Sequence, residues 1–390
     1  MNSFVYSIPT KVYFGENQLS NNLGTELKKL GQRVLLTYGG GSIKRSGLYD
    51  LVIKELQTAG LDVFELNGID PNPRIETVRA GADLCKKENI DVLLAVGGGS
   101  TLDCTKHIAA AACVDFDPWL FFSERVPIEK ALPVVTILTL AATGSEMNGG
   151  GVITNFATSD KIGRSDPKLL PQVSFLDPTL TYSVNEYQTA CGSADILSHI
   201  MEVYFNINQD LQLLDGMMEA MMKTVIKYAP IAIKNPTNYE ARANLMWTGS
   251  WAINGFINGG KRQAWSCHPM EHQLSAVYDI THGLGLAILT PRWMEYTLNE
   301  NSMAKFYQFG VNVLNINPQL PQMEVAKQSI SLIAEFFSTT LGLKSTLKEI
   351  DIDEANFASM AAKVCGASGI LAGFQPLTPT DVVNIYRMCL

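Results

Sequence analysis

Five histidines occur in the chain, at positions 107, 199, 268, 272 and 282, and four of them fall in two short windows. The first window, Asp195-Ile-Leu-Ser-His199, sets a carboxylate and an imidazole four residues apart. On a helix that spacing puts both on one face, in reach of a shared ion. The second window, His268-Pro-Met-Glu-His272, repeats the spacing with two imidazoles and is followed by His282-Gly283. An aspartate with three imidazoles suits a borderline divalent cation and leaves positions open for a further ligand. A lone histidine, such as His107 on the helix that follows Asp103, is more simply a packed or hydrogen-bonded side chain. Four in two windows point to a metal site, provided that the fold brings the windows together.

A second chemistry is written in glycine. Gly39-Gly40-Gly41-Ser42 and Gly97-Gly98-Gly99-Ser100 each follow an apolar run and precede a helical pattern. Successive glycines let the backbone approach a ligand closely, and the first amides of the next helix point at the same spot, which makes a pyrophosphate cradle. Such turns also occur only to make tight corners. Two in one domain, both at strand C-terminal ends where open α/β sheets bind ligands, favour the cradle. Neither matches G-x-G-x-x-G. A third strand end offers Thr139 and the loop Thr143-Gly-Ser-Glu146, whose hydroxyls suit a phosphate or ribose. NAD sites place a carboxylate near the adenine ribose. After Tyr38 no acid occurs until Asp50, while Lys44 and Arg45 could balance a 2′-phosphate, so the loop favours NADP(H).

These residues need elements to hold them. Arg33–Tyr38, Leu61–Leu66, Ile90–Val96 and Pro133–Leu140 read as strands. Between them, Leu48–Ala59 and the face Ile75, Val78, Ala82, Cys85 have helical spacing. Fully apolar strands alternating with helices predict a parallel, Rossmann-like sheet covered on both faces. After Leu176-Asp177-Pro178 the pattern becomes helical, as in Leu211–Ile226, Tyr239–Ile253 and Val325–Leu341. The expectation is an α/β dinucleotide-binding domain over 1–180 and an all-α metal- and substrate-binding domain over 181–390.

Composition narrows the partners. A formal charge of −8 with no basic stripe excludes nucleic acid as the default partner. The longest apolar runs are broken by Pro and Thr and fall short of a membrane span. Seven cysteines without a C-x-x-C pair suggest a reducing compartment, and no basic n-region with an apolar h-region precedes Gly15, so a cytoplasmic setting is expected. Met217, Met218, Met221 and Met222 are read as core, and Cys267 is given no metal role. Trp119, Phe121, Phe122, Ile153, Phe256 and Trp265 lie near the motifs and are expected to include an apolar wall for unbranched or aromatic substrates.

Together, Gly97–Ser100 with Asp103, Thr143-Gly-Ser-Glu146, Asp195-x3-His199 and His268-x3-His272-x9-His282-Gly283 resemble the iron-containing (group III) alcohol dehydrogenases. Pro9-Thr-Lys-Val-Tyr-Phe-Gly15, Tyr38-Gly-Gly-Gly-Ser42 and Asp70-Pro-Asn-Pro73 are similar to that family's NADP-dependent butanol dehydrogenase and broad aldehyde reductase branch. The resemblance runs over nearly the whole chain. It implies Asp195, His199, His268 and His282 as ligands of Fe(II) or Zn(II), with His272 beside the nicotinamide and substrate as a proton-relaying group. It places Gly39, Gly40 and Ser42 on the 2′-phosphate side, Gly97, Gly98, Gly99 and Ser100 on the pyrophosphate, and Asp103, Thr139, Thr143 and Lys161 among further cofactor contacts. It further implies a site in the cleft between the domains, hydride transfer between NADP(H) and a small alcohol or aldehyde, and a homodimer. Two relatives remain as alternatives. A dehydroquinate synthase-like lyase needs many cations for its anionic substrate, whereas Lys261 and Arg262 are the only Lys or Arg between Arg242 and Arg292. A glycerol dehydrogenase-like enzyme is the nearer alternative. Metal storage or sensing would leave two phosphate loops without a purpose.

Overall fold

The computed structural model describes residues 3–205, 211–260 and 264–390. The chain forms two compact units, one of Ser7–Val184 with Pro236–Asn254, the other of Met1–Tyr6, Asn185–Asn235 and Gly255–Leu390.

The first unit carries eight strands: β1 (Lys11–Phe14), β2 (Arg33–Tyr38), β3 (Asp62–Leu66), β4 (Val92–Gly97), β5 (Val134–Leu138), β6 (Gly150–Asn155), β7 (Asp160–Ser165) and β8 (Val173–Leu176). Six are parallel neighbours in the order β1-β8-β5-β4-β2-β3, and β6 pairs antiparallel with β7 in a separate two-stranded sheet. Its first helices are α1 (Gln18–Lys28), α2 (Ser42–Arg45), α3 (Leu48–Thr58), α4 (Ile75–Lys87), α5 (Gly99–Ala111) and α6 (Leu120–Ser123). Side-chain alternation along the strands explains why both faces are covered. Val34, Leu36, Val92, Leu94, Val96, Val135 and Ile137 join Leu23, Leu27, Val52 and Leu56 of α1 and α3. Leu35 and Leu93, pointing the other way, join Ile75, Val78, Ala82, Cys104 and Ile108 of α4 and α5. The apolar runs read as strands are therefore parallel strands buried on both sides.

Four features differ from the sequence expectation. The strands β1 and β8, which pair with each other, and the β6–β7 hairpin were not anticipated; β1 and β8 have only four residues each, and the hairpin is short and glycine-rich, with little apolar alternation. Helix α9 (Tyr239–Ala252), which periodicity placed in the helical half, packs in the sheet unit. There Met246 joins Ala95, Leu102, Leu138 and Leu176 in a small core.

The second unit is helical, with α7 (Glu186–Tyr204), α8 (Gln212–Lys234), α10 (Cys267–Tyr278), α11 (His282–Thr297), α12 (Met303–Asn312), α13 (Gln322–Glu335), α14 (Phe357–Cys365) and α15 (Pro379–Met388). Helix α7 starts where the Asn185 side chain accepts the Gln188 N–H at 2.8 Å, a local cap. Every α7 residue from Thr189 to Tyr204 is buried. A helix enclosed on all sides is the central element of its unit. Met218 and Met222 of α8 are fully buried, as core methionines should be. Among the described residues no helix is long and apolar enough to cross a membrane.

Candidate metal centre and cofactor loops

Helix α7 presents Asp195, His199 and Glu202 at i, i+4 and i+7, on one face. Helix α10 carries His268, Glu271 and His272. It ends at Asp279 in the left-handed region, φ 53°, and after Thr281 the chain enters α11 with His282 as its first residue. Tight packing brings the two windows together. A Cβ on Gly283 would stand 2.0 Å from the Cys191 carbonyl oxygen of α7, so α11 begins against the turn that precedes Asp195.

The result is a convergence on one oxygen. The Nε2 atoms of His199, His268 and His282 lie 3.5, 3.8 and 3.6 Å from Asp195 Oδ1. These distances exceed ordinary hydrogen bonds. Ligands bound at about 2.1 Å around a four-coordinate ion stand roughly 3.4 Å apart, close to the spacing seen. Among the described residues Asp195 Oδ1 and His268 Nε2 are buried without a hydrogen-bond partner, a costly state unless something else is bound there. Donor type, spacing and orphaned atoms all fit a divalent cation. Asp195, His268 and His282 bring donor atoms within 4.8 Å of one another, with His199 joining through Asp195 alone, and a second trio, Glu271, His272 and His282, does the same. Its carboxylate is already committed, since Glu271 accepts from His282 Nδ1 and from the Ser275 hydroxyl. Asp195 is the better anchor.

Electrostatics follow from the same arrangement. Burial drives His199 down to about 3. Burial also opposes charge on Asp195 and His268, yet the surrounding imidazoles of His199, His268 and His282 outweigh it at Asp195, and Glu202 followed by Asp195 outweighs it at His268. Asp195 is held well below the carboxylate range, and His268 is pushed up to about 9. The cluster therefore favours positive charge at its centre, which a cation supplies. Neither Glu202 nor Glu271 was singled out from sequence. The available signal was positional: Glu202 shares the α7 face with both ligands, and Glu271 lies between His268 and His272.

The candidate cofactor residues lie in the other unit, most of them at the C-terminal ends of β2, β4 and β5, with Lys161 apart on β7. Strands β2 and β4 are neighbours although β3 intervenes in the chain, so Gly39–Ser42 and Gly97–Ser100 leave the sheet at its topological switch point. Most of these glycines have packing reasons. A Cβ on Gly97 would meet Thr101 Oγ1 at 2.5 Å, one on Gly99 would meet Thr143 Oγ1 at 2.2 Å, and Gly98 has Leu140 at 3.3 Å. Gly39 approaches the Ile69 carbonyl, and Gly41 has φ 93° as it leads into Ser42. Gly40 has neither constraint, because its Cβ would meet nothing within 4 Å. That opening is what a ligand phosphate needs.

Thr139 N–H donates to the Gly97 carbonyl at 2.9 Å, which ties the second loop to the third strand end. Asp103 accepts from the Ser145 hydroxyl at 2.5 Å and the Val152 N–H at 2.9 Å; burial pushes its carboxyl up. Lys161, on β7, donates to Asn72 Oδ1 at 2.9 Å.

The expected apolar wall is partly corrected. Phe121, Phe122 and Ile153 are buried in the α4–α5 core, and Trp119 packs on it. They build the sheet unit instead of lining a pocket. Trp265 reaches the candidate ligands, with its ring 4.6 Å from His268 and 5.9 Å from His199, edge-on to both. Phe256 instead meets Tyr6 at 5.9 Å. Lys261 and Arg262 lie outside the described residues.

Comparison with known proteins agrees with this geometry. Residues 9–178 match the iron-containing alcohol dehydrogenase family model, and residues 189–390 match that for the C-terminal part of the Fe-containing alcohol dehydrogenase family. NADH-dependent butanol dehydrogenase A of Clostridium acetobutylicum is 47% identical over 99% of both chains. The NADPH-dependent aldehyde reductase YqhD of Escherichia coli is 36% identical over 93% of both. A crystal structure of NADH-dependent butanol dehydrogenase A from Thermotoga maritima superposes with a TM-score of 0.94 at 37% identity, covering 100% of this chain and 99% of that one. With matching domains over both halves and relatives of this identity, the chain belongs to the iron-containing alcohol dehydrogenase family and is an oxidoreductase of alcohols and aldehydes.

Proposed function

We propose that this chain reduces small, unbranched or aromatic aldehydes to primary alcohols with NADPH, and runs the reverse oxidation with NADP, using one Fe(II) or Zn(II) ion held by Asp195, His199, His268 and His282. The observation that carries the reading is Asp195 Oδ1, buried without a hydrogen-bond donor among the described residues and ringed by three imidazole nitrogens. When bound, the ion supplies Lewis acidity toward a carbonyl oxygen and the nicotinamide supplies the hydride. The same four donors serve either metal.

His272 is assigned the proton. It lies one turn beyond His268 on α10, partly exposed, with its ring 5.4 Å from that of His282 and 6.3 Å from that of His268. From there it can protonate the reduced oxygen, directly or through water. Trp265 gives the substrate chain an apolar surface beside the ligands. In the α/β unit, Gly39, Gly40 and Ser42 take the 2′-phosphate side and Gly97–Ser100 the pyrophosphate, with Asp103, Thr139, Thr143 and Lys161 completing the contacts. Relatives' names point both ways on the nucleotide, NADH for the butanol dehydrogenases and NADPH for the E. coli reductase. The loop supports NADP(H): its sequence holds no acid from Gly39 to Leu48, and Lys44 sits over the rings of Tyr38 and Tyr49, 5.2 and 4.6 Å from their centroids, while the Glu65 carboxylate of β3 is engaged by both tyrosine hydroxyls at 2.7 and 2.8 Å. A cytoplasmic homodimer completes the proposal.

Absorbance-monitored oxidation of NADPH and NADH with a panel of aldehydes, before and after chelation and return of Fe(II) or Zn(II), tests the reading. Turnover should vanish on chelation, return with one metal, and favour NADPH in kcat/KM. Preference for NADH overturns the nucleotide assignment. No oxidation with any carbonyl favours the lyase. The variant His272→Ala should lose tenfold or more in kcat while keeping its metal, consistent with a general acid's contribution of roughly 10²–10⁴-fold; full turnover across pH removes His272 from the mechanism.

A further inference from the structure

Helix α5 turns one face toward the segment that follows β5. Gly99, Asp103 and Lys106 stand at i, i+4 and i+7 on that face. Each meets the segment differently. Gly99 makes room for Thr143, whose Oγ1 lies 2.2 Å from where a Cβ would stand. Asp103 accepts the Ser145 hydroxyl at 2.5 Å. Lys106, fully buried, directs its ammonium at three oxygens: the carbonyls of Ser145 and Asn148, each at 3.0 Å, and Asn148 Oδ1 at 3.3 Å. Three acceptors use the whole donor capacity of an ammonium.

Asn148 carries that hold onward. Its Oδ1 also accepts the Gly150 N–H at 2.8 Å, and its NH₂ donates to the carbonyls of Thr143 at 3.3 Å and Gly144 at 2.8 Å. Two donors at Oδ1 fix which end of the amide faces α5. Gly144, at φ 57°, makes the turn that follows Thr143. Lys106 thus reaches Thr143 through a single side chain.

We propose that Lys106, acting through Asn148, is a positioning residue for the nucleotide: it holds Thr143 against the Gly97–Ser100 loop, so that the pyrophosphate end of the site has its shape before the nucleotide arrives. The inference rests on the cofactor-loop reading above. Burial supplies the reason for a lysine. Three inward-facing oxygens need donors where water is absent, and an apolar side chain of similar length leaves them unpaired. The segment then turns those oxygens toward solvent, and Thr143 leaves Gly99 with it. The first loop, Gly39–Ser42, leaves β2 and shares no hydrogen bond with Lys106 or Asn148 among the described residues. The effect is therefore confined to one end of the nucleotide.

The test compares K106M and N148A with wild type in the binding of two probes at neutral pH, where Lys106, pushed down only to about 8, keeps its proton. NADPH, followed by its fluorescence, spans both loops. Adenosine 2′-monophosphate, which lacks the pyrophosphate, takes the first loop alone and is read by competition. Circular dichroism and thermal melts of each protein accompany the titrations. K106M should weaken NADPH roughly tenfold or more, because the loop must then be ordered on binding. Adenosine 2′-monophosphate should stay within about threefold of wild type, less than half the binding free energy of a tenfold change. N148A leaves Lys106 both backbone acceptors, cuts the link to Thr143 and Gly144, and should show the same split; it carries the test alone if K106M fails to fold. A merely structural role would weaken both probes together. That result, or an unchanged NADPH affinity, overturns the proposal. Wild type that prefers NADH overturns the choice of nucleotide only, and the comparison then runs with NADH against adenosine. Wild type that binds no nicotinamide nucleotide overturns the cofactor-loop reading itself, a separate failure.

Discussion

His107 and Lys106 are adjacent on α5, both are fully buried, and burial makes both harder to protonate. Burial pushes Lys106 down to about 8, although its ammonium donates to the carbonyls of Ser145 and Asn148, each at 3.0 Å. His107 donates from Nδ1 to the Asp103 carbonyl at 2.9 Å and lies 4.8 Å from the Phe122 ring. Burial, reinforced by Lys106 and Arg164, drives it down to about 3. The folded state thus refuses a proton that the unfolded chain accepts near 6.5. Stability from this group is complete above that value and is lost as pH falls from 6.5 toward 3, at up to ~1.4 kcal/mol per unit. Urea unfolding across pH 4 to 7 should show this slope in wild type, and His107→Gln should flatten it by about that amount; equal slopes would refute the assignment. Reading His107 from sequence as a packed histidine needed only its isolation. The two windows of candidate ligands were legible because i, i+4 spacing is local. Glu202 was not, since its role depends on the N-terminus of α10 coming to it from 64 positions downstream of its own.

At the scale of elements, one glycine sets the helix–helix distance that closes the candidate metal centre. Gly283 would place a Cβ within 2.0 to 3.0 Å of three Cys191 backbone atoms, and backbone cannot rotate away. Gly283→Ala should therefore push α11 off α7, cost about 1–3 kcal/mol as an overpacked contact, and weaken zinc binding because His282 moves with it. Gly216→Ala on α8, where an added Cβ meets nothing within 4 Å among the described residues, should leave zinc affinity intact and stabilise by up to ~1 kcal/mol through helix propensity. Chemical unfolding with zinc competition reads both. Unchanged zinc affinity in Gly283→Ala would mean that this close approach does not position His282. Periodicity made the long helices visible because each keeps an apolar face over several turns. It could not report which partner that face meets, so α9 was assigned by its neighbours in sequence. The β6–β7 hairpin, with glycines at 150, 151 and 163, offers too little alternation to be read as strands.

For the whole molecule, the consequence lies in how the chain is shared between its units. A cut at residue 180, where composition changes, would leave the sheet unit without α9. The loss is specific: Met246 fills the core among Leu102, Leu138 and Leu176, and Ser250 donates its hydroxyl to the fully buried Glu146. Gly144, at φ 57°, packs against the Gly249 carbonyl. Removing α9 would expose apolar surface and strip a buried carboxyl of its donor, two penalties of several kcal/mol together. The unit's ends are also near one another, since Arg242 donates to both the Pro236 carbonyl at 2.9 Å and the Val184 carbonyl at 3.5 Å. A short flexible linker can therefore join Val184 to Pro236. The prediction is a pair of fragments. Residues 7–180 alone should melt without a cooperative transition, whereas 7–184 joined by a Gly/Ser linker to 236–254 should unfold cooperatively in calorimetry. If the linked fragment binds NADPH, the phosphate loops need nothing from the helical unit to take the nucleotide. Cooperative melting of 7–180 would instead show that α9 is dispensable and that the boundary lies where composition alone places it.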